Sequence, residues 1–233
     1  MPGYKRKGYA SVQSMRKRAR RARRSVVTVP RGITGGTRVS YGSTVRSATA
    51  DITVTQGTGS GYSMSFNSAG FTIAGSTVAW QGATDIANAF DAYRIKGVYI
   101  HFMFNQNQSA ISVTTSTLPF LYIANDYDDA TSLTFADIAQ RDGAKQFLVC
   151  GDICKWKVVP KIAMAAYGTS AVTAYAEPKA MQWVSTGAIA GLTDAQHYGT
   201  KFYVDATKMT GSVTAIGTLR VYVQAYFDLK HAQ

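Results

Sequence analysis

The feature that most constrains the fold is a strict alternation of apolar and polar residues near the C-terminus. The apolar series is Leu219, Val221, Val223, Ala225, Phe227 and Leu229, and the intervening series is Arg220, Tyr222, Gln224, Tyr226, Asp228 and Lys230. A period of two is typical of a β-strand with one face in a core and the other toward polar surroundings. The pattern therefore predicts a terminal strand and a sheet that buries one face.

The remainder of the chain after residue 50 also favours strands. It contains a single glutamate, Glu177, whereas helical surfaces normally use Glu, Leu and Lys heavily. Further strands are predicted at Tyr93–Phe104, Leu118–Asn125, Lys145–Val159, Ala180–Thr186 and Thr200–Asp205, with weaker patterns at Ile52–Thr55 and Tyr62–Phe66. Periodicity does not fix the register of residues 46–80.

The predicted strand Tyr93–Phe104 changes its apolar parity near Gly97. Ile95 is odd-numbered, whereas Val98 and Ile100 are even-numbered. One extra residue in a strand flips every later side chain to the opposite face. A β-bulge at Gly97 would therefore keep all the apolar residues of this strand on the core side.

One short helix is predicted within the β-rich region. Thr134 and Asp137 form a T-x-x-D capping box, which predicts a helix over about residues 135–140. Seven or eight strands, long connections and one short helix predict an all-β fold, a sandwich or a jelly roll.

Charge divides the chain into two unequal parts. Of 25 basic residues, 13 lie in the first 50 positions, and the first of the 13 acidic residues is Asp51. The first 50 residues thus carry +13 and the remaining 183 carry −1. We interpret residues 1–45 as a basic arm with a Gly-rich tether and residues 46–233 as one folded domain.

The arm carries the strongest functional signal. Its first 24 residues contain ten cations: Lys5, Arg6, Lys7, Arg16, Lys17, Arg18, Arg20, Arg21, Arg23 and Arg24. We expect a segment with so much charge and so little apolar surface to be disordered when free. Dense cations release counterions from phosphates, which predicts nucleic-acid binding, and the same clusters predict a nuclear localisation signal. A solubilising tail and a mitochondrial presequence are the alternatives.

The sequence predicts neither a catalytic site nor a membrane-spanning segment. His101, His197 and His231 lack an acidic or cysteine partner at ligand spacing, and no phosphate-binding loop or nucleophile motif is present. We therefore expect neither enzymatic activity nor a cofactor. No run of 18 apolar residues occurs, so membrane insertion is not expected.

One acidic cluster remains, formed by Asp126, Asp128 and Asp129. As a calcium loop it fails, because Thr131 replaces the turn glycine and Asp137 replaces the bidentate glutamate. We interpret these carboxylates as residues that end a strand. Their negative charge would also stabilise the N-terminus of the short helix, where the helix dipole is positive. A divalent ion held between subunits stays open as the alternative.

One segment resembles a known family. The sequence from Phe90 to Phe102, FDAYRIKGVYIHF, is similar to the aromatic-acidic-x-Tyr-Arg-Ile-basic strand of circovirus capsid proteins. Later features resemble that family in the same order: Lys155–Lys161, which contains Trp156 and Pro160, Met181–Trp183, His197–Thr200 and Leu219–Phe227.

The resemblance implies a single viral jelly roll of two packed four-stranded antiparallel sheets. It also implies sixty copies in an icosahedral shell, arms directed inward onto a single-stranded DNA genome, and delivery to the host nucleus by an import receptor. The attachment receptor is not identified by the sequence. A coat protein of a single-stranded RNA virus and a monomeric jelly-roll binding module such as a lectin are the rival interpretations.

Overall fold

The computed structural model describes residues 39–106, 119–127, 131–148, 153–167, 172–186, 195–209 and 215–232. The strands in these ranges are β1 (Val39–Thr55), β2 (Gly59–Phe66), β3 (Gly70–Ile73), β4 (Ser76–Ala79), β5 (Ala92–Gln106), β6 (Phe120–Ala124), β7 (Lys145–Leu148), β8 (Cys154–Val158), β9 (Lys161–Tyr167), β10 (Val172–Ala180), β11 (Val184–Ser185), β12 (His197–Asp205) and β13 (Ala215–Ala232). Two short helices accompany them, α1 (Ala83–Ala89) and α2 (Phe135–Ala139).

The strands form two antiparallel sheets. The first has the order β1-β13-β5, and β8 and β11 both pair with the far edge of β5. The second contains β2-β12-β6-β7, extended by β3 and β4 beyond β2 and by β9 and β10 beside β12. The four-stranded units β1-β13-β5-β8 and β2-β12-β6-β7 are the two sheets of a jelly roll. The predicted all-β jelly roll is confirmed, with short strands added at its edges.

One hydrophobic core lies between the sheets. Phe102 of β5 and Phe202 of β12 meet in the core, with ring centroids 5.0 Å apart in a T-shaped arrangement. The six apolar residues of the predicted terminal strand, Leu219 to Leu229, are all at most 3% exposed in β13. That prediction is confirmed, and β13 is the central strand of the first sheet.

The bulge in β5 lies where the sequence predicts it. Tyr226 pairs with Gly97, but the next residue, Phe227, pairs with Ile95, so Lys96 is the extra residue. Ile95 and Val98 are consequently both buried, while Lys96 is exposed. The bulge keeps the core face continuous and turns a lysine outward.

Helix α2 begins as its capping box predicts. The Asp137 backbone N–H donates to the Thr134 hydroxyl at 3.3 Å, and the Thr134 backbone N–H donates to Asp137 Oδ2 at 3.1 Å. Hydrogen bonds from the Thr134 hydroxyl and backbone hold the pKa of the Asp137 carboxyl below its ordinary value. Ile138 is the buried residue of this helix, which packs against β6 and β12 of the second sheet.

Several elements differ from the sequence prediction: β3, β4 and β9 were not predicted, and the predicted strand Ala180–Thr186 contains only the last residue of β10 and the two residues of β11. Strand β1 begins at Val39, so residues 39–45, assigned to the tether, are paired with β13. The segment Lys145–Val159 is not one strand, because β7 lies in the second sheet and β8 in the first. Helix α1 was not predicted because it lacks a side-chain cap and follows Gly82, whose φ is +67°.

Within the described ranges, neither helix has the length and apolarity needed to cross a membrane.

Candidate nucleic-acid interface

The ten arm cations between Lys5 and Arg24 lie outside the described residues. Their assignment to nucleic-acid binding and to nuclear localisation therefore stays a prediction, as does the division of the chain into arm and folded domain. The structure instead reveals a second basic surface, on the side of the first sheet that faces away from the core.

We call this surface the open face. Its residues are Ser43, Val45, Ser47, Thr49 and Asp51 of β1, Arg220, Tyr222, Gln224, Tyr226, Asp228 and Lys230 of β13, Arg94, Lys96, Tyr99, His101 and Met103 of β5, and Lys155 and Lys157 of β8. They share one side because directly paired residues of neighbouring strands point the same way.

Aromatic rings and cations lie side by side on this face. One cross-strand row runs from Gln224 to Tyr99 to Lys157, and the next runs from Tyr222 to His101 to Lys155. Lys157 Nζ lies 5.3 Å from the centroid of the Tyr99 ring. Such neighbours suit single-stranded nucleic acid, whose phosphates attract cations and whose bases stack on aromatic rings.

The open face also concentrates positive charge. It carries six of the twelve basic residues that follow Asp51 but only two carboxylates, Asp51 and Asp228, a net of +4. The other acidic and basic residues from position 52 onward sum to −5. A domain that is nearly neutral in total is therefore strongly asymmetric, which orients a polyanion toward this face.

Ion pairs fix part of that charge in place. Arg220 Nε and Nη2 donate to the two carboxylate oxygens of Asp51 at 2.8 and 2.9 Å. The Arg220 guanidinium holds the pKa of Asp51 below its ordinary value, chiefly through these hydrogen bonds. Asp228 accepts from Arg94 at 2.9 Å and pairs with Lys96 at 3.4 Å.

Other cations of the open face remain available. Lys155, Lys157 and Lys230 have no carboxylate partner within the part of the chain that the structure describes. Because no local anion neutralises them, they are the cations best placed to contact phosphates.

The first residue of the acidic cluster lies just after the end of β6, as the sequence predicts, and it also forms ion pairs that the sequence did not indicate. Asp126 is buried, and its Oδ2 lies 2.8 Å from Lys201 Nζ and 2.7 Å from Arg141 Nη2. Its effect on the N-terminus of α2 stays a prediction. Asp128 and Asp129 lie outside the described residues. The described residues contain no group of three potential metal ligands.

The fold defined by the two sheets is that of a viral capsid protein. The BFDV capsid protein, in a crystal structure of its 60-mer, matches at a TM-score of 0.50 and 16% identity over 84% of this chain and 95% of that one. The same protein in a decameric crystal structure matches at 0.48 and 17% identity over 82% and 99% of the chains. Tobacco necrosis virus matches at 0.48 and 12% identity over 85% and 97%.

The sequence identifies the family. The model of the circovirus capsid protein family matches residues 7–233, and the chain belongs to that family. It is thus a capsid protein and a component of the virion. Family and fold both point to a structural rather than an enzymatic protein. Among curated proteins, no sequence matches the chain.

Proposed function

We propose that this chain assembles into a small icosahedral shell, of T=1 geometry with sixty copies, and packages a single-stranded DNA genome. Membership of the circovirus capsid protein family supports the shell, and the BFDV capsid protein of the same fold forms a 60-mer. The observation that carries the packaging role is the segregation of charge, with 13 cations and no acid in the first 50 residues.

The arm supplies most of the neutralisation. Residues 1–45 carry twelve cations, so sixty arms bring about 720 positive charges, enough to offset a large share of a small genome's phosphates. Neutralisation of this kind needs charge density rather than a defined geometry, so a flexible arm is suited to an irregularly folded strand.

The open face supplies a second contact that is fixed in space. Lys155 and Lys157 are free to pair with phosphates, and Tyr99 offers a ring on which a base can stack. With this face turned toward the genome, each subunit holds the strand at a defined place on the sheet as well as along the arm.

The same arm serves as a nuclear localisation signal recognised by a host import receptor. Its clusters Lys5–Lys7 and Arg16–Arg24 are the basic runs that import receptors bind. Residues 1–24 fused to an inert cytosolic reporter should carry it into the nucleus. A reporter with the ten cations replaced by glutamine is the control, and a wild-type fusion that stays cytosolic would remove this role.

The packaging proposal is tested on the full-length protein expressed in cells. Electron microscopy should show uniform small shells. For shells purified from infected cells and then opened, the released nucleic acid should resist RNase and be digested by DNase. Protein that remains monomeric would contradict assembly. RNase-sensitive cargo would identify an RNA coat, because backbone neutralisation alone does not distinguish the two nucleic acids.

A further inference from the structure

A cavity opens at one end of the open face, beside the start of β1. Its volume is about 530 Å³, and its lining comprises Tyr41, Gly42, Ser43, Arg94, Trp183 and Asp228. This volume lies within the range of about 300–1,000 Å³ that is typical of small-molecule sites. The cavity is therefore large enough for a nucleotide unit and not only for ordered water.

Two aromatic rings form its walls. Tyr41 is 71% exposed and Trp183 is 38% exposed, although both are large side chains with flat apolar faces. Their ring centroids are 6.1 Å apart with the planes tilted by 50°, so neither ring covers the face of the other. Exposed rings in this arrangement favour a flat, aromatic ligand.

Arg94 places a hydrogen-bond donor in the same cavity. Its guanidinium lies 4.7 Å from the centroid of the Trp183 ring. Nε and Nη2 both donate to Asp228 Oδ2, at 3.0 and 2.9 Å, which fixes the plane of the group. The remaining nitrogen, Nη1, is left to donate to acceptors on the edge of a ligand.

We propose that this cavity binds an unpaired nucleobase of the packaged strand. The base stacks on the exposed ring of Tyr41 and contacts Trp183 beside it, and Arg94 Nη1 donates to an acceptor on its edge. The inference rests on the proposed function, because the strand is the one that the arm and the open face hold.

Charge and chain connectivity identify the occupant. The open face that borders the cavity carries a net charge of +4, which favours a polyanion over the side chain of a nearly neutral second copy. Tyr41 follows the first residue of β1, Val39, by two positions, so the cavity lies beside the point where the chain enters the first sheet.

The cavity also gives the folded domain a preference that the arm lacks. In a duplex both faces of each base are stacked and its edge is paired, so no base can enter without being flipped out, which costs free energy. A single strand offers its bases without that cost. The cavity should therefore select single-stranded over double-stranded nucleic acid, whereas phosphate neutralisation does not.

Tryptophan fluorescence tests the proposal in the full-length protein. Of the three tryptophans, Trp80 and Trp156 are 2% and 9% exposed, so Trp183 is the one that a bound base can reach. Three probes of equal length are compared: a ten-nucleotide oligothymidylate, the same backbone without bases, and a ten-base-pair duplex. Binding itself is followed separately by the anisotropy of a fluorophore on each probe.

Oligothymidylate should quench the emission, and the abasic and duplex probes should bind without quenching it. Trp183→Phe should abolish the quenching. Tyr41→Ala should lower the affinity ratio of oligothymidylate to abasic probe by about fivefold or more, the range expected when one base stack is removed. Phe135→Ala, which removes an aromatic ring that is 43% exposed and packs against the second sheet, is the matched control and should leave the ratio unchanged.

Three results would overturn the proposal. Binding of oligothymidylate without quenching would remove the cavity as a base site and leave the proposed function intact. An affinity ratio that Tyr41→Ala leaves unchanged would show that this ring stacks on no base. Absence of binding by all three probes would overturn the proposed packaging function together with the base site.

Discussion

The ammonium group of Lys201 lies 2.8 Å from the carboxylate of Asp126, and both side chains are at most 3% exposed. Arg141 Nη2 contacts the same oxygen, Asp126 Oδ2, at 2.7 Å, and its side chain is one-third exposed. The backbone N–H of Asp126 also donates to the carbonyl of Gly199 in β12 at 3.3 Å. The pair therefore joins the end of β6 to the central strand of the second sheet inside the protein.

Removing the carboxylate should be costly. Asp126→Asn removes the carboxylate that lies 2.8 Å from the buried Lys201 ammonium, and breaking a buried pair on one side typically costs about 3–5 kcal/mol. Thermal unfolding followed by circular dichroism measures the loss. Asp142→Asn, which removes an exposed carboxyl, is the control. Equal melting temperatures for the two variants would show that the pair contributes nothing to stability.

A second ion pair predicts a response to acid. Arg220 depresses the pKa of Asp51 below the ordinary value of 3.8, so protonation of Asp51 is harder in the folded than in the unfolded state. The resulting stabilisation is present above about pH 4 and is lost as the pH falls through the folded-state pKa. The pair is exposed, so its contribution is small.

Melting temperatures between pH 5 and pH 2.5 test that response. The melting temperature of the wild type should fall more steeply than that of Asp51→Asn, and Arg220→Gln should match the flatter curve. Asp142→Asn should instead follow the wild type. A wild-type curve parallel to that of Asp51→Asn would contradict the coupling.

A carboxylate introduced on the core face of β13 should prevent folding, whereas one introduced on the open face should not. Val221→Asp places a charge in the core, at a residue that is 0% exposed, and an unpaired buried charge costs several kcal/mol against a total stability of about 5–15 kcal/mol. We expect Val221→Asp, like Val223→Asp, to yield no soluble protein. Gln224→Asp adds the same group on the open face and should remain soluble and folded. Soluble Val221→Asp protein would mean that the wrong face has been assigned to the core.

Strand β13 was predictable because all its inward positions are apolar, and the bulge at Gly97 was predictable because it shifts that pattern by one residue. Strand β1 was not predictable over its full length, because its inward positions include Gly42 and Ala48. The neighbouring side chains explain why these positions are small. A Cβ atom added at Gly42 would contact the side chains of Phe90 and Leu229. Large residues of other elements fill the space, so the sequence of β1 carries a weak signal.

The open face could not be predicted from the sequence, for a different reason. Each of its strands has an ordinary mixture of polar and charged side chains on the outer side. Only the pairing of β5 with β8 brings Lys157 beside Tyr99, and only the pairing of β5 with β13 brings Arg94 beside Asp228. The signal lies in cross-strand register, which a sequence without tertiary information does not contain.

The open face predicts a site-specific dependence on salt. Lys155→Gln combined with Lys157→Gln should lower the slope of log K against log salt for a single-stranded oligonucleotide by about 0.7 for each phosphate that these side chains no longer neutralise. The control, Lys145→Gln combined with Lys208→Gln, changes net charge equally but lies outside the open face. Equal slopes for the two double variants would show that only net charge matters.

Deleting residues 1–24 should remove packaged nucleic acid and leave the folded domain. The deletion takes away ten cations, lowers the net charge from +12 to about +2, and removes no residue of the described core. The ratio of absorbance at 260 and 280 nm in purified particles measures the cargo, and a cooperative melt with an unchanged β-type circular dichroism spectrum establishes folding. Weak binding should persist through the open face, with a much smaller salt slope than that of the full chain.

A scrambled arm is the matched control for that deletion. It keeps all ten cations and the length of 24 residues but changes their order, and it should package nucleic acid as the natural arm does, because counterion release depends on charge density. Loss of packaging in the scrambled variant would mean that the arm reads a specific signal. If the truncated chain instead bound single-stranded DNA with the full affinity and the full salt slope, the open face would be the principal site and the arm would have another purpose.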